Sequence, residues 1–186
     1  MIDDSLKLET WDETDWQYIQ GLSQSVESVK RQYIRDLRDE KKKYHIERIF
    51  SYELYHKWSQ NLSKVANNPS KLFLNAELTK HYNHKETFPD FVLHGDYTNQ
   101  NKQFIICEVK SSRNYVNDNA LKKDIKTLMN GMSKLGYHCG VFIYLGSERS
   151  TIEQRIERIK AKTKDVHFKI LLIKVIDYNK VDYTIL

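Results

Sequence analysis

An α/β fold, a mixed β-sheet flanked by helices, is what this sequence predicts, and three observations predict it. Apolar residues at helical spacing alternate along the chain with short strand-like apolar runs. Two of those runs are joined by a polar turn and read as an antiparallel hairpin. A later run, Cys139 to Leu145, is almost continuously apolar, as in a strand buried on both faces, and a helical pattern precedes it as a crossover would. At 186 residues one globular domain is the default. Within it, residues 1–45 read as an N-terminal helical extension and residues 46–186 as the core.

The elements follow in order. From Trp16 to Leu37, apolar residues fall three and four apart (16, 19, 22, 26, 29, 33, 37), which predicts an amphipathic helix. The run Arg38-Asp39-Glu40-Lys41-Lys42-Lys43 is expected to be solvated. A second helix is expected from Ile46 to Val65, with Phe50, Leu54, Trp58 and Leu62 on its apolar half, ended by Asn67-Asn68-Pro69. A strand follows from Leu72 to Leu78, then the hairpin. Leu121, Ile125, Leu128, Met129 and Met132 mark another helix, and Gly136 separates it from the buried strand. Ser150-Thr151-Ile152-Glu153 has the S-x-x-E capping pattern and should open a helix to about Lys162. Val166 to Ile176 reads as a further strand, with Tyr183 to Leu186 as a short edge.

The hairpin carries the chemistry. It runs from Phe88-Pro89-Asp90-Phe91-Val92-Leu93, through a turn at Gly95 to Lys102, to Gln103-Phe104-Ile105-Ile106-Cys107-Glu108-Val109-Lys110. Folded about Asn99, it pairs residues whose numbers sum to 198, so Asp90 faces Glu108. Glu108 and Lys110 are two apart and share that side. Two carboxylates and an ammonium converge at one end of an otherwise apolar hairpin, where unpaired buried charge is expensive.

Composition sets limits. Hydrophobic residues are 40% and charged residues 30%, as in a globular protein rather than a disordered one. No apolar run approaches the roughly 20 residues that span a bilayer, so no membrane role is expected. Met1-Ile2-Asp3-Asp4 lacks the parts of a signal peptide, and a cytoplasmic location is expected. Cys107 and Cys139 lie in apolar runs and read as buried, reduced thiols. His81, His84, His94 and His138 show no zinc-ligand spacing. The net charge of +5 is compatible with a nucleic-acid partner.

Glu53 on a helix, Pro89-Asp90, and Glu108-Val109-Lys110 resemble the PD-(D/E)xK nuclease superfamily, with its restriction-endonuclease-like fold. The resemblance covers Ile46 to Leu145 in element order. It implies Mg²⁺-dependent hydrolysis of phosphodiester bonds in DNA, with Mn²⁺ as a substitute and RNA left open. Asp90 and Glu108 would hold the ion, with the Val109 carbonyl as a further ligand by resemblance. Lys110 would orient the nucleophilic water or stabilise charge in the transition state. Glu53 would support or complete the metal site. Oxygen ligands suit Mg²⁺, which commonly takes one or two carboxylates and keeps several waters.

Other readings stand beside these. Asp90 could cap a turn, and Glu108 with Lys110 could be an exposed ion-paired strand edge. Glu53 could pair with Lys57 at i+4 instead of serving a metal. Glu77 could be a second ligand or a rim residue. Arg113, Lys122, Lys123 and Lys126 could touch phosphates or form a solvated face, and Asp124 could pair with one of these lysines. The alternative to a nuclease is a non-cleaving subunit on the same fold that binds nucleic acid or protein, or an α/β domain of unrelated chemistry. A chain this short has little room for a separate sequence-reading domain, so a partner subunit could supply targeting, and the helix from Trp16 to Leu37 could mediate homodimerisation or an accessory contact.

Overall fold

The computed structural model describes residues 1–34, 46–65, 72–76, 80–82, 85–87, 89–95, 103–111, 118–146, 149–162, 167–177 and 180–186. After a 3₁₀ turn at Asp4–Leu6, the order is α1 (Glu13–Glu27), α2 (Arg31–Ile34), α3 (Ile46–Val65), β1 (Phe73–Ala76), β2 (Lys80–Tyr82), β3 (Lys85–Thr87), β4 (Phe91–His94) and β5 (Gln103–Ser111). Then come α4 (Asp118–Leu135), β6 (Cys139–Leu145), α5 (Arg149–Lys160), β7 (Ile170–Asp177) and β8 (Lys180–Ile185). Six strands form one mixed sheet in the order β1-β4-β5-β6-β7-β8, and β2 and β3 pair apart from it. β1, β4 and β5 are antiparallel, β5, β6 and β7 are parallel, and β8 returns antiparallel to β7. The α/β class expected from the sequence is the class observed.

Helices cover both faces of the sheet, and strand alternation divides the core accordingly. Ile105, Cys107 and Val109 of β5 turn to α1 and α3, where Trp16, Ile19, Leu22, Phe50, Leu54 and Trp58 are buried. Ile106 of β5 turns to the opposite face, against Leu121, Ile125 and Leu128 of α4 and Ile152 and Ile156 of α5. Residues of one parity share a face because successive side chains alternate. Gly131 of α4 sits where an added Cβ would lie 2.4 Å from Ile106 Cδ1, so its lack of a side chain lets α4 approach the sheet. Cys107 and Cys139 are buried free thiols. Among the described residues, no helix is long and apolar enough to cross a membrane.

Several boundaries differ from those expected. The helix expected to run unbroken from Trp16 to Leu37 is interrupted after Glu27 and resumes as α2 at Arg31, and residues 35–37 of that expectation lie outside the described residues. Serines explain the break: Ser25 Oγ donates to the Gly21 carbonyl at 2.6 Å and Ser28 Oγ to the Ser25 carbonyl at 2.8 Å, competing with the helical ladder. At its start, Asp12 and Asp15 form a reciprocal capping box. The buried side of α1 belongs to the same core as α3 and the sheet. The strand expected from Leu72 to Leu78 is described over Phe73–Ala76. The antiparallel pair β2 and β3 is an addition to the elements expected from the sequence. The last strand is longer than a short edge and pairs with β7 from Lys180 to Ile185. Glu153, expected to turn back on its helix start, forms an ion pair with buried Lys174 of β7.

Candidate functional site

The hairpin register places the charges. Phe91 pairs with Cys107, Val92 with Ile106 and Leu93 with Ile105, each pair summing to 198, before a bulge at Leu93/His94 shifts it. Asp90 stands one residue ahead of β4. Its Oδ2 accepts the Val109 N–H at 2.6 Å, so a side-chain oxygen continues the ladder where backbone pairing ends. By alternation Glu108 and Lys110 lie on the α4 face with Ile106, and Glu108 is 5% exposed.

Two helices complete the cluster from opposite faces of the sheet. Asp124 of α4 places Oδ2 3.2 Å from Lys110 Nζ, and Glu47 of α3 places Oε1 3.6 Å from it. The other Glu47 oxygen accepts the Ser111 N–H at 3.0 Å. Lys110 is thus the point where α3, β5 and α4 meet.

Electrostatics follow from this crowding. Burial pushes the Asp90 carboxyl up to about 6. The Val109 N–H opposes that shift, Glu47 and Asp124 add to it, and Lys110 counters it. Burial, then the charges of Asp90 and Asp124, holds the Glu108 carboxyl well above the usual range. Burial pulls the Lys110 ammonium down, but Asp124 and Glu47 more than offset it, and the net shift is upward. Burial also raises Asp124, and Lys110 restrains that rise. Lys110 therefore stays protonated, while Asp90 and Glu108 hold negative charge only reluctantly.

The remaining expected residues fall elsewhere. Glu53 lies 3.6 Å from Lys57 in the i,i+4 ion pair that was the alternative to a metal role. The α3 carboxylate that reaches the cluster is Glu47, which sequence reasoning missed. Asp124 pairs with Lys110 rather than with a neighbouring lysine of its own helix. Its place could have been read, because it lies three after Leu121 and four before Leu128, on the stripe that faces the sheet. Lys122, Lys123 and Lys126 are exposed on α4. Glu77, His84 and Arg113 lie outside the described residues. His94 is a core histidine held by Asn75 and the Gly95 carbonyl, each at 2.8 Å, and His138 pairs with Asp15 at 2.9 Å.

Stability separates the two α3 carboxylates. Glu53→Ala removes a half-buried i,i+4 pair and is expected to cost about 0.5 kcal/mol. Glu47→Ala leaves the Ser111 N–H without its acceptor and is expected to cost about 1–2 kcal/mol, read from urea midpoints of the two variants.

Among the described residues, no group of three or more His, Cys, Asp or Glu side chains is gathered to hold a metal ion. The pair Asp90 and Glu108, two hard oxygen donors whose mutual repulsion a cation would relieve, fits the one or two carboxylates that Mg²⁺ commonly takes. Comparison with protein-family models, with curated proteins and with solved structures found no match.

Proposed function

We propose that this protein is a metal-dependent nuclease of the PD-(D/E)xK type, hydrolysing phosphodiester bonds in DNA on a restriction-endonuclease-like core. The observation that carries the reading is Asp90, held at the Val109 N–H and close enough to Glu108 to raise its carboxyl, with Lys110 two residues on from Glu108. The order from α3 to β6 supports it: helix, antiparallel strands with Asp before one and Glu-x-Lys near the end of the next, helix, buried parallel strand.

Asp90 and Glu108 would hold Mg²⁺, with the Val109 carbonyl as a further ligand by resemblance. The bound ion would supply a more acidic water and counter-charge for phosphate oxygens. The chain supplies the rest. Lys110, kept protonated by Asp124 and Glu47, offers N–H donors to the attacking water or to a phosphate oxygen. Glu47 and Asp124 fix where that ammonium points, which makes them positioning residues. Exposed Lys122, Lys123 and Lys126 of α4 would meet the backbone of the nucleic acid.

The test is cleavage of linear and supercoiled DNA, with RNA in parallel. Cleavage is expected with Mg²⁺ or Mn²⁺ and is expected to stop on chelation. Activity that persists in excess EDTA overturns the assignment.

A further inference from the structure

A groove of about 590 Å³ borders the carboxylate site, within the roughly 300–1,000 Å³ typical of ligand pockets. Glu47 and Asp90 line it, and so do Arg48, Tyr52 and Tyr55 of α3 and Ala76 of the edge strand β1. Tyr52 is 61% exposed and Tyr55 38%, a concentration of aromatic surface facing water beside the charged cluster.

Both rings are held in place. The Arg48 guanidinium lies over the Tyr52 ring, 5.6 Å from its centroid, and Arg48 Nε–H donates to the Tyr52 hydroxyl at 2.8 Å. Tyr55 stacks on Phe91 with centroids 6.5 Å apart, and its hydroxyl donates to the Leu74 carbonyl at 3.1 Å. A flat partner that binds such rings pays little to order them.

The charges select the partner's chemistry. Among the described residues lining the groove, Arg48 is the one cation, and Glu47 and Asp90 supply carboxylates. A row of phosphates would be met poorly there, whereas an uncharged ring face would be met well by tyrosine and by a guanidinium plane. A base in an intact duplex hides its faces in the stack and cannot use these rings.

We propose that the groove takes an unpaired nucleobase of the strand whose phosphate lies at Asp90 and Glu108, so that the substrate is single-stranded or frayed nucleic acid rather than intact duplex. The inference rests on the nuclease reading and narrows its substrate class.

The experiment uses a fluorescein-labelled oligonucleotide, single-stranded and as a blunt duplex, titrated by anisotropy in Ca²⁺ against wild type, Tyr52→Ala and Tyr52→Phe. Melting temperatures check that the variants fold, and cleavage in Mn²⁺ is followed alongside. Wild type is expected to bind the single strand more tightly than the duplex. Tyr52→Ala is expected to weaken single-strand binding roughly tenfold, as loss of one base–aromatic stack does, and Tyr52→Phe to retain it. Unchanged single-strand affinity in folded Tyr52→Ala, or a wild-type preference for duplex, overturns the groove assignment whether or not Mn²⁺ supports cleavage. Tyr52-dependent single-strand binding without any Mn²⁺-dependent cleavage retains the base site and overturns the nuclease reading.

Discussion

Lys110→Ala is expected to bind Mn²⁺ as wild type does and to cleave about 10²–10³-fold more slowly, a loss of about 2.7–4 kcal/mol in the transition state. The separation arises because, on the proposed reading, Asp90 and Glu108 would hold the ion, whereas the Lys110 ammonium, 3.2 Å from Asp124 and 3.6 Å from Glu47, would act on the reacting groups. Truncation also leaves Asp124 buried without its cation, so the variant is compared with Lys110→Ala combined with Asp124→Asn, which removes that stranded charge. Calorimetry of Mn²⁺ binding and cleavage rates on the same preparations make the measurement, with folding checked by circular dichroism. Full cleavage in folded Lys110→Ala would show that Glu108-Val109-Lys110 is not the catalytic motif.

Asp90→Asn is expected to lose metal affinity and turnover together, while the metal-free protein becomes more stable at neutral pH. Asparagine keeps an oxygen for the Val109 N–H and can donate to Glu108, but it removes a charge that burial disfavours. The sign follows from linkage. The Asp90 carboxyl is raised from 3.8 to about 6 in the folded protein, so the folded state binds more protons than the unfolded one between those values. The stability associated with protonated Asp90 is fully present below about pH 4 and is lost as pH rises through about 6. Asp90→Asn escapes this loss and should gain roughly 3 kcal/mol over wild type at pH 7, with the difference nearly gone by pH 4. Urea unfolding in chelator at the two pH values measures it. Equal stability at pH 7 would mean that Asp90 carries its charge there without penalty.

What could be read from the sequence was what depends on short range. The hairpin register follows from a two-residue period and one turn, so the pairing of 91 with 107 through 93 with 105 was within reach. The α4 stripe is equally local, and Asp124 lay on it in plain view. Glu47 was different. Glu47 and Glu53 stand three residues before and three after Phe50, flanking the same apolar stripe. Which of them meets the end of β5 depends on how far α3 slides along the sheet, and that is decided by tertiary packing of Phe50, Leu54 and Trp58. Local side-chain competition also escaped the periodic pattern. Ser25 and Ser28 end α1 although Val26 and Val29 keep the apolar spacing and are buried.

The meeting of α3 and α4 on Lys110 has a consequence for the newly made chain. Glu47 comes early in the sequence and Asp124 late, on layers that flank opposite faces of the sheet. Until both layers have docked, the ammonium has no fixed address, and a half-assembled protein cannot present an organised cluster to a polyanion. On the nuclease proposal, cutting would mature last, after the hairpin that carries Asp90, Glu108 and Lys110. The Ser111 amide, bonded to Glu47, is a natural clock for that step. In pulse-labelling hydrogen exchange it should gain protection with the docking of α3, later than the amides that pair β4 with β5.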